Sequence, residues 1–262
     1  MKIATWNVNS VRKRTGNLVA WLEQARPDVV VLQEIKAQEA TFPRLEIEAA
    51  GYKAEIVGQK GFNGVALLSP HPVEITARAL PGDESDEQAR YIEGRVATSA
   101  GPLTIAGLYL PNGNPIGTEK FAYKLAWMER LQRRARELLA REEMFVLGGD
   151  YNVCPTDRDV YDPRAFANDA LCQPESRAAL RSLLNLGLTD AVRAFDPDST
   201  CYTFWDYQAG AWAKDWGLRI DHLLLSPQAA DRLVGVGIDK PERGRPDPSD
   251  HVPVWCELDV AA

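Results

Sequence analysis

Histidine is scarce in this chain, at three residues in 262, and the four cysteines, Cys154, Cys172, Cys201 and Cys256, include no Cys-x-x-Cys pair. A His-rich zinc centre, a zinc knuckle and a disulfide framework are therefore not indicated, and the cysteines read as free thiols. Positive charge is also short, because 30 Lys and Arg face 37 Asp and Glu, a net charge of −7. That balance excludes a protein that coats polyanions and leaves room only for a local basic face. No apolar run is long enough to span a bilayer, and Met1 to Asn7 enter a strand pattern without the apolar region of a signal peptide. A cytoplasmic protein with no membrane partner is expected. Repeats, linkers and low-complexity segments are absent too, so residues 1–262 are expected to form one domain.

Hydrophobic residues make up 45% and charged residues 26%, an ordinary globular balance that allows a large core. The most informative stretch is Phe145-Val146-Leu147-Gly148-Gly149-Asp150-Tyr151-Asn152. An apolar run ending in two glycines, an acid and an amide reads as a buried strand delivering Asp150 and Asn152 to a sheet edge. Residues two apart on a strand point the same way, so both could face one ligand. The glycines allow a close approach by another element. The plain alternative is a strand ending in an Asx turn.

Before that stretch, Lys2 to Trp6 reads as a strand and Arg14 to Ala25 as a helix stopped by Arg26-Pro27. Val29 to Leu32 reads as a fully buried strand, followed by Gln33-Glu34-Ile35-Lys36. A carboxylate at that point must reach solvent, a cation or a metal, and Lys36 is one available partner of Glu34. Arg12, Lys13 and Arg14 read equally as a solvated helix start or as phosphate contacts. Tyr52 to Val57, Val65 to Ser69, Val73 to Ala79, Tyr91 to Thr98 and Leu103 to Tyr109 are expected strands, separated by turns. Without helices between them they must pair antiparallel, which makes the sheets mixed. The acidic Gly82 to Glu87 reads as a solvated loop.

Pro111-Asn112-Gly113 forces a turn directly after Tyr109. Thr118 to Arg141 is the clearest helix, with Phe121, Leu125, Met128, Leu131, Ala135, Leu138 and Leu139 as its expected core face. Pro155 to Cys172 is a long loop, and Pro174 to Leu186 a helix with Gly187 past its end. Thr203 to Tyr207 reads as an aromatic strand. Arg219 to Leu225 places Asp221 inside an apolar strand, and Ser249-Asp250-His251 opens the last one.

Asn7, Glu34, Tyr109, Asp150, Asn152, Asp221, Asp250 and His251 thus all fall at strand ends or irregular points. In layered sheets such ends gather at one edge, where ligands bind. Oxygen donors from Glu, Asp and Asn suit a hard cation such as magnesium or manganese. One imidazole beside carboxylates adds what phosphodiester hydrolysis requires: a water-positioning base and a donor to a phosphoryl oxygen.

Thr5-Trp6-Asn7, Leu32-Gln33-Glu34-Ile35-Lys36, Gly64-Val65-Ala66, Tyr109-Leu110-Pro111-Asn112-Gly113, Gly149-Asp150-Tyr151-Asn152, Arg219-Ile220-Asp221 and Ser249-Asp250-His251 occur in this order along the whole chain. Together they resemble the exonuclease III family of abasic-site DNA-repair nucleases, in the endonuclease/exonuclease/phosphatase superfamily. Any one tripeptide is weak, and the ordered set is highly specific. The resemblance implies a four-layered α/β sandwich, with two packed mixed β-sheets flanked by helices. It also implies a magnesium-dependent nuclease, with manganese as a substitute, acting as a monomer on duplex DNA with abasic sites or blocked 3′ ends.

By that resemblance Glu34 and Asp250 would hold the metal with Asn7 in its shell, and Asp150 would activate or orient water. Asn152, Asn112 and His251 would contact the scissile phosphate, with Asp221 orienting His251 and Tyr109 assisting at the phosphate or leaving oxygen. Phe204, Leu218 and Ile220 match the pocket for an extruded sugar, with Lys36 on the substrate side, and Trp205 reads equally as pocket wall or core. The chain departs from the family at Ile35, where a small hydroxyl residue is usual, and at Tyr151, where phenylalanine is common. Neither departure removes a ligand. Two other readings are an esterase for lipid or inositol phosphates and a catalytically silent DNA-binding or scaffold domain. So many uncompensated acids argue against the second.

Overall fold

The computed structural model describes residues 1–262. In chain order the elements are β1 (Lys2–Asn7), α1 (Thr15–Ala25), β2 (Val29–Gln33), α2 (Arg44–Ala49), β3 (Lys53–Val57), β4 (Val65–Ser69), β5 (Glu74–Ala77), β6 (Tyr91–Thr98) and β7 (Gly101–Tyr109). There follow α3 (Glu119–Leu139), β8 (Met144–Asp150), α4 (Pro174–Leu184), β9 (Thr189–Asp190), α5 (Ala191–Phe195), β10 (Asp221–Leu225), α6 (Pro227–Ala230), β11 (Leu233–Ile238) and β12 (Val254–Leu258). They form two six-stranded sheets, ordered β11-β12-β1-β2-β4-β3 and β5-β6-β7-β8-β10-β9. Both sheets are mixed, since β1 runs parallel to β2 and β7 parallel to β8 while the other pairs are antiparallel.

The period of two along β2 sets the layers. Val29 and Val31 turn inward to a core shared with Ile3, Ile105, Val146 and Leu223 of both sheets. Val30 and Leu32 turn outward to Leu18, Trp21 and Leu22 of α1 and Ile47 of α2. On the far side Leu108, Phe145 and Leu147 pack against Trp127, Leu131 and Leu138 of α3 and Leu180 and Leu183 of α4. Three cores separate four layers, and each fully buried aliphatic side chain contributes about 1.5–3 kcal/mol of transfer free energy. Gly107 and Gly148, partners in register, face Val31 across the two sheets. A Cβ on Gly107 would lie 2.9 Å from Val31, and one on Gly148 would lie 2.8 Å from Leu223. Of the Gly-Gly pair, Gly148 faces Val31 of the other sheet, where a Cβ would lie at 3.2 Å, and Gly149 is pressed against Leu108 of its own sheet.

Some expectations are corrected. Thr203 to Tyr207 is not a strand: Phe204 makes only isolated bridges, to Leu218 and His251. The last strand begins at Val254, not Ser249, because Pro253 has no N–H to continue a ladder. Asp221 opens β10 instead of lying inside it, and α4 ends at Leu184. The buried face of α3 is rotated from the apolar stripe, since it includes Lys124, Trp127 and Arg130 while Phe121, Leu125 and Leu139 are half-buried. Asp86, expected in a solvated loop, is paired with Arg130 at 2.7 Å with a nearly buried side chain.

Candidate active site

The C-terminal ends of β1 and β2, with Asn7 opposite Gln33, and of β7 and β8, with Tyr109 opposite Asp150, carry the first acids and amides of the site. Antiparallel β10 starts at the same level, Asp221 opposite Asp150. Across the two sheets the side chains meet. The Asn7 carboxamide donates to Glu34 Oε1 at 3.2 Å and to Asp150 Oδ2 at 3.0 Å. Tyr109 donates its hydroxyl to the same Glu34 oxygen at 2.7 Å. His251 Nδ1 lies 3.1 and 2.9 Å from the two oxygens of Asp221, and His251 Nε2 lies 3.8 Å from Asp150. Thr203 caps the far side by donating to Asp221 Oδ2 at 2.6 Å.

Asn9, unremarked in the sequence, completes the rim. It accepts from Lys36 Nζ at 2.6 Å and donates to Asp250 Oδ1 at 3.0 Å. Lys36 also pairs with Glu34 Oε2 at 2.8 Å, so Lys36 and Asn9 link Glu34 to Asp250. Arg14 braces this loop through Asn9 O, Pro248 O and the Tyr207 hydroxyl and is not free for phosphate, whereas Arg12 and Lys13 are exposed. Asn9, Ser10, Glu34, Lys36 and Asn152 all have positive φ, five of the eleven non-glycine residues that do. Such conformations cost about 1 kcal/mol or more apiece and persist where the surroundings fix them, so strain is concentrated at this edge.

Asn152 lies beyond the end of β8 at φ 48, so it does not share a strand face with Asp150. Its N–H donates to Asp150 Oδ1 at 2.9 Å, the Asx arrangement that was the plain alternative. Asn112 reaches it instead, donating to Asn152 Oδ1 at 3.1 Å. Beneath both lies Lys124 of α3, wholly buried, a residue the apolar periodicity of the helix could not reveal.

Phe204 meets the His251 ring edge-on at 4.9 Å and joins Leu218, Ile220, Val160 and Leu171 in one small cluster. Trp205 belongs to the core: it is 1% exposed, packs against Tyr202 and Trp212, and donates to Asp215 at 2.9 Å. Behind Asp221, the buried Arg219 ties Asp159 of the long loop at 2.6 Å to Asp190 at 2.8 Å. Neither partner was marked by any sequence motif.

Burial disfavours a charge on Glu34, yet Lys36, Tyr109 and His251 outweigh it and hold the carboxyl below the usual range. Asp150 moves the other way, raised by burial and by Asp221 against the pull of His251. Burial opposes charge on His251 as well, but Asp221 and Asp150 prevail and raise it to about 10, so the ring is an imidazolium. Tyr109, raised by burial and by Glu34 and Asp150, stays a hydroxyl donor.

Two donor sets could hold a cation. Asp150, Asp221 and His251 place one ligand atom each within 4.8 Å, but a ring already charged and engaged by Asp221 is a poor ligand. Glu34, Asp250, Asn7 and Asn9 can offer oxygen donors, and the Glu34 carboxylate with the Asn9 carboxamide oxygen already holds the Lys36 ammonium. That set fits a hard divalent ion.

The sequence profile described as the Endonuclease/Exonuclease/phosphatase family matches residues 4–251. The chain is 35% identical over 266 residues to the exodeoxyribonuclease III of Haemophilus influenzae, covering 98% of this chain and 100% of that one. Its fold superimposes on an AP endonuclease from Archaeoglobus fulgidus with a TM-score of 0.93 at 34% identity, over 99% of each chain. It also superimposes on a variant of the 3′ phosphatase NExo from Neisseria bound to product DNA hairpin, with a TM-score of 0.91 at 37% identity over 99% of each chain. A full-length match in both sequence and fold makes this chain a member of the Endonuclease/Exonuclease/phosphatase family, on its exodeoxyribonuclease III branch.

Proposed function

We propose that the protein is a divalent-metal-dependent nuclease of DNA repair, which hydrolyses duplex DNA 5′ to abasic sites and processes blocked 3′ ends. The observation that carries the reading is the single side-chain chain running from Glu34 through Asn7 and Asp150 to His251 and Asp221. Glu34 and Asp250, with Asn7 in the shell, are the residues that would hold magnesium. Bound there, the ion would stabilise charge developing on the phosphate.

Asp150 is placed to orient water and take its proton, because burial has already raised its affinity for one. The His251 imidazolium donates from Nε2 toward a phosphoryl oxygen, while Asp221 fixes the ring through Nδ1. Asn112, itself exposed, and Asn152 present amide donors on the other flank. Tyr109 keeps its proton and, seated on Glu34, would assist at the phosphate or leaving oxygen. Phe204, Leu218 and Ile220 form an apolar wall beside His251 for a sugar turned out of the helix, where a missing base lowers the cost of extrusion. A duplex with one abasic analogue, assayed with magnesium and then with chelator, tests the reading. Incision that survives chelation would overturn the metal assignment.

A further inference from the structure

The Lys124 ammonium is wholly buried and forms no ion pair. Its partners are two main-chain carbonyls, those of Asn112 at 3.0 Å and Asn152 at 2.6 Å. These belong to two different turns, one after β7 and one after β8, and the carboxamides above them are hydrogen-bonded to each other at 3.1 Å. Asn152 is further tied down by donating to Leu110 O at 2.9 Å. The aliphatic stem of Lys124 lies hard against Gly113, at φ 89, where an added Cβ would be 2.6 Å from the lysine Cδ. No residue with a side chain fits the turn while Lys124 holds that path.

Burial pushes the Lys124 ammonium down to about 7, although Asp150 and Asp169 favour its charge. A buried ammonium without a carboxylate is a costly way to fill space, since a methionine would fill the same volume without desolvating a charge. What methionine could not do is donate to two carbonyls at once.

On the reading that Asn112 and Asn152 contact the scissile phosphate, we propose that Lys124 is a positioning residue that locks the two turns in register and so fixes the amide pair. It touches neither substrate nor metal ligand and acts through the carbonyls it holds.

The test is a kinetic coupling. Lys124→Met is expected to lower kcat on an abasic duplex about 100-fold with KM changed by less than about threefold, the size seen when one transition-state donor is displaced. In an Asn152→Ala background the same substitution is expected to change kcat by less than about threefold, because the group it positions is gone. A structural strut with no link to the amides would give an equal fall in both backgrounds. Gly113→Ala, which keeps the charge and crowds the lysine stem at a buried position in the turn after β7, is expected to reproduce the loss in kcat even if Lys124→Met fails to fold. An active wild type with kcat unchanged in a folded Lys124→Met or in Gly113→Ala overturns the positioning role alone. An inactive wild type overturns the nuclease reading beneath it.

Discussion

Asp221 grips the imidazole of His251 through Nδ1 with both of its oxygens, at 3.1 and 2.9 Å, and is itself capped by Thr203 at 2.6 Å. The ring orientation is thus fixed from behind, with Nε2 turned toward Asp150. Asp221→Asn keeps the shape and loses the charge that holds His251 protonated. A fall in kcat of about 10²–10⁴-fold is expected, with KM little changed, as when a carboxylate orienting a catalytic histidine is neutralised elsewhere. Steady-state kinetics on the abasic duplex would measure it, and a loss below tenfold would remove Asp221 from its assigned role.

Glu34→Ala deletes one proposed metal oxygen and the acceptor shared by Asn7 and Tyr109. Activity should fall by roughly 10³-fold or more and recover partly as magnesium is raised, because a weakened site needs more ion. Titrating the metal against incision rate separates this from Asp150→Asn, whose loss added magnesium should not repair.

Asp159, held by Arg219 behind Asp221, gives a pH signature in stability. Burial works against its charge, but Arg219, Arg193 and Thr156 outweigh it and hold the carboxyl down to about 2, below the usual 3.8. A depressed folded value stabilises the protein above the unfolded pKa and is lost as pH falls through the folded one. A loss of about 2 kcal/mol is therefore expected between roughly pH 4 and pH 2. Urea melts of Asp159→Asn against wild type check this: the variant should be less stable near neutrality and should lack that part of the acid dependence.

Ser10 sits at φ 85, and its side chain makes no hydrogen bond. Ser10→Gly should relieve the strain and raise unfolding free energy by up to about 1 kcal/mol, offset in part by greater freedom of the unfolded chain. A denaturant melt showing a clear loss of stability would mean that the serine side chain holds the turn.

Much of the site was legible because buried strands announce themselves and acids at their ends are conspicuous. Glu34, Asp150 and Asp250 each follow or precede an apolar run, and the structure brings them to one cup. Asn9 escaped because it lies past the strand in a turn whose two positive-φ residues are not glycine. Lys124 escaped, and Arg219 was read only as part of a motif and not as a buried tie, because periodicity ranks residues by polarity, and a buried cation satisfied by distant partners carries no local signal. The same limit explains the missed strands β9 and β11. Thr189–Asp190 is two residues long, and Leu233–Ile238 is broken by two glycines, with a register shift beside Gly235.

The hydroxyl of Ser249 donates to the carbonyl of Asn7 at 2.7 Å, and β12 lies beside β1. Opposite extremes of the polypeptide are thereby stitched together at the cup. While the chain is being synthesised, everything up to β11 can emerge without Asp250, His251 or the seam that seats Asn7. On the proposed roles, a chain in which this segment has not docked has neither Asp250 nor His251 at the cup and is expected to be inactive.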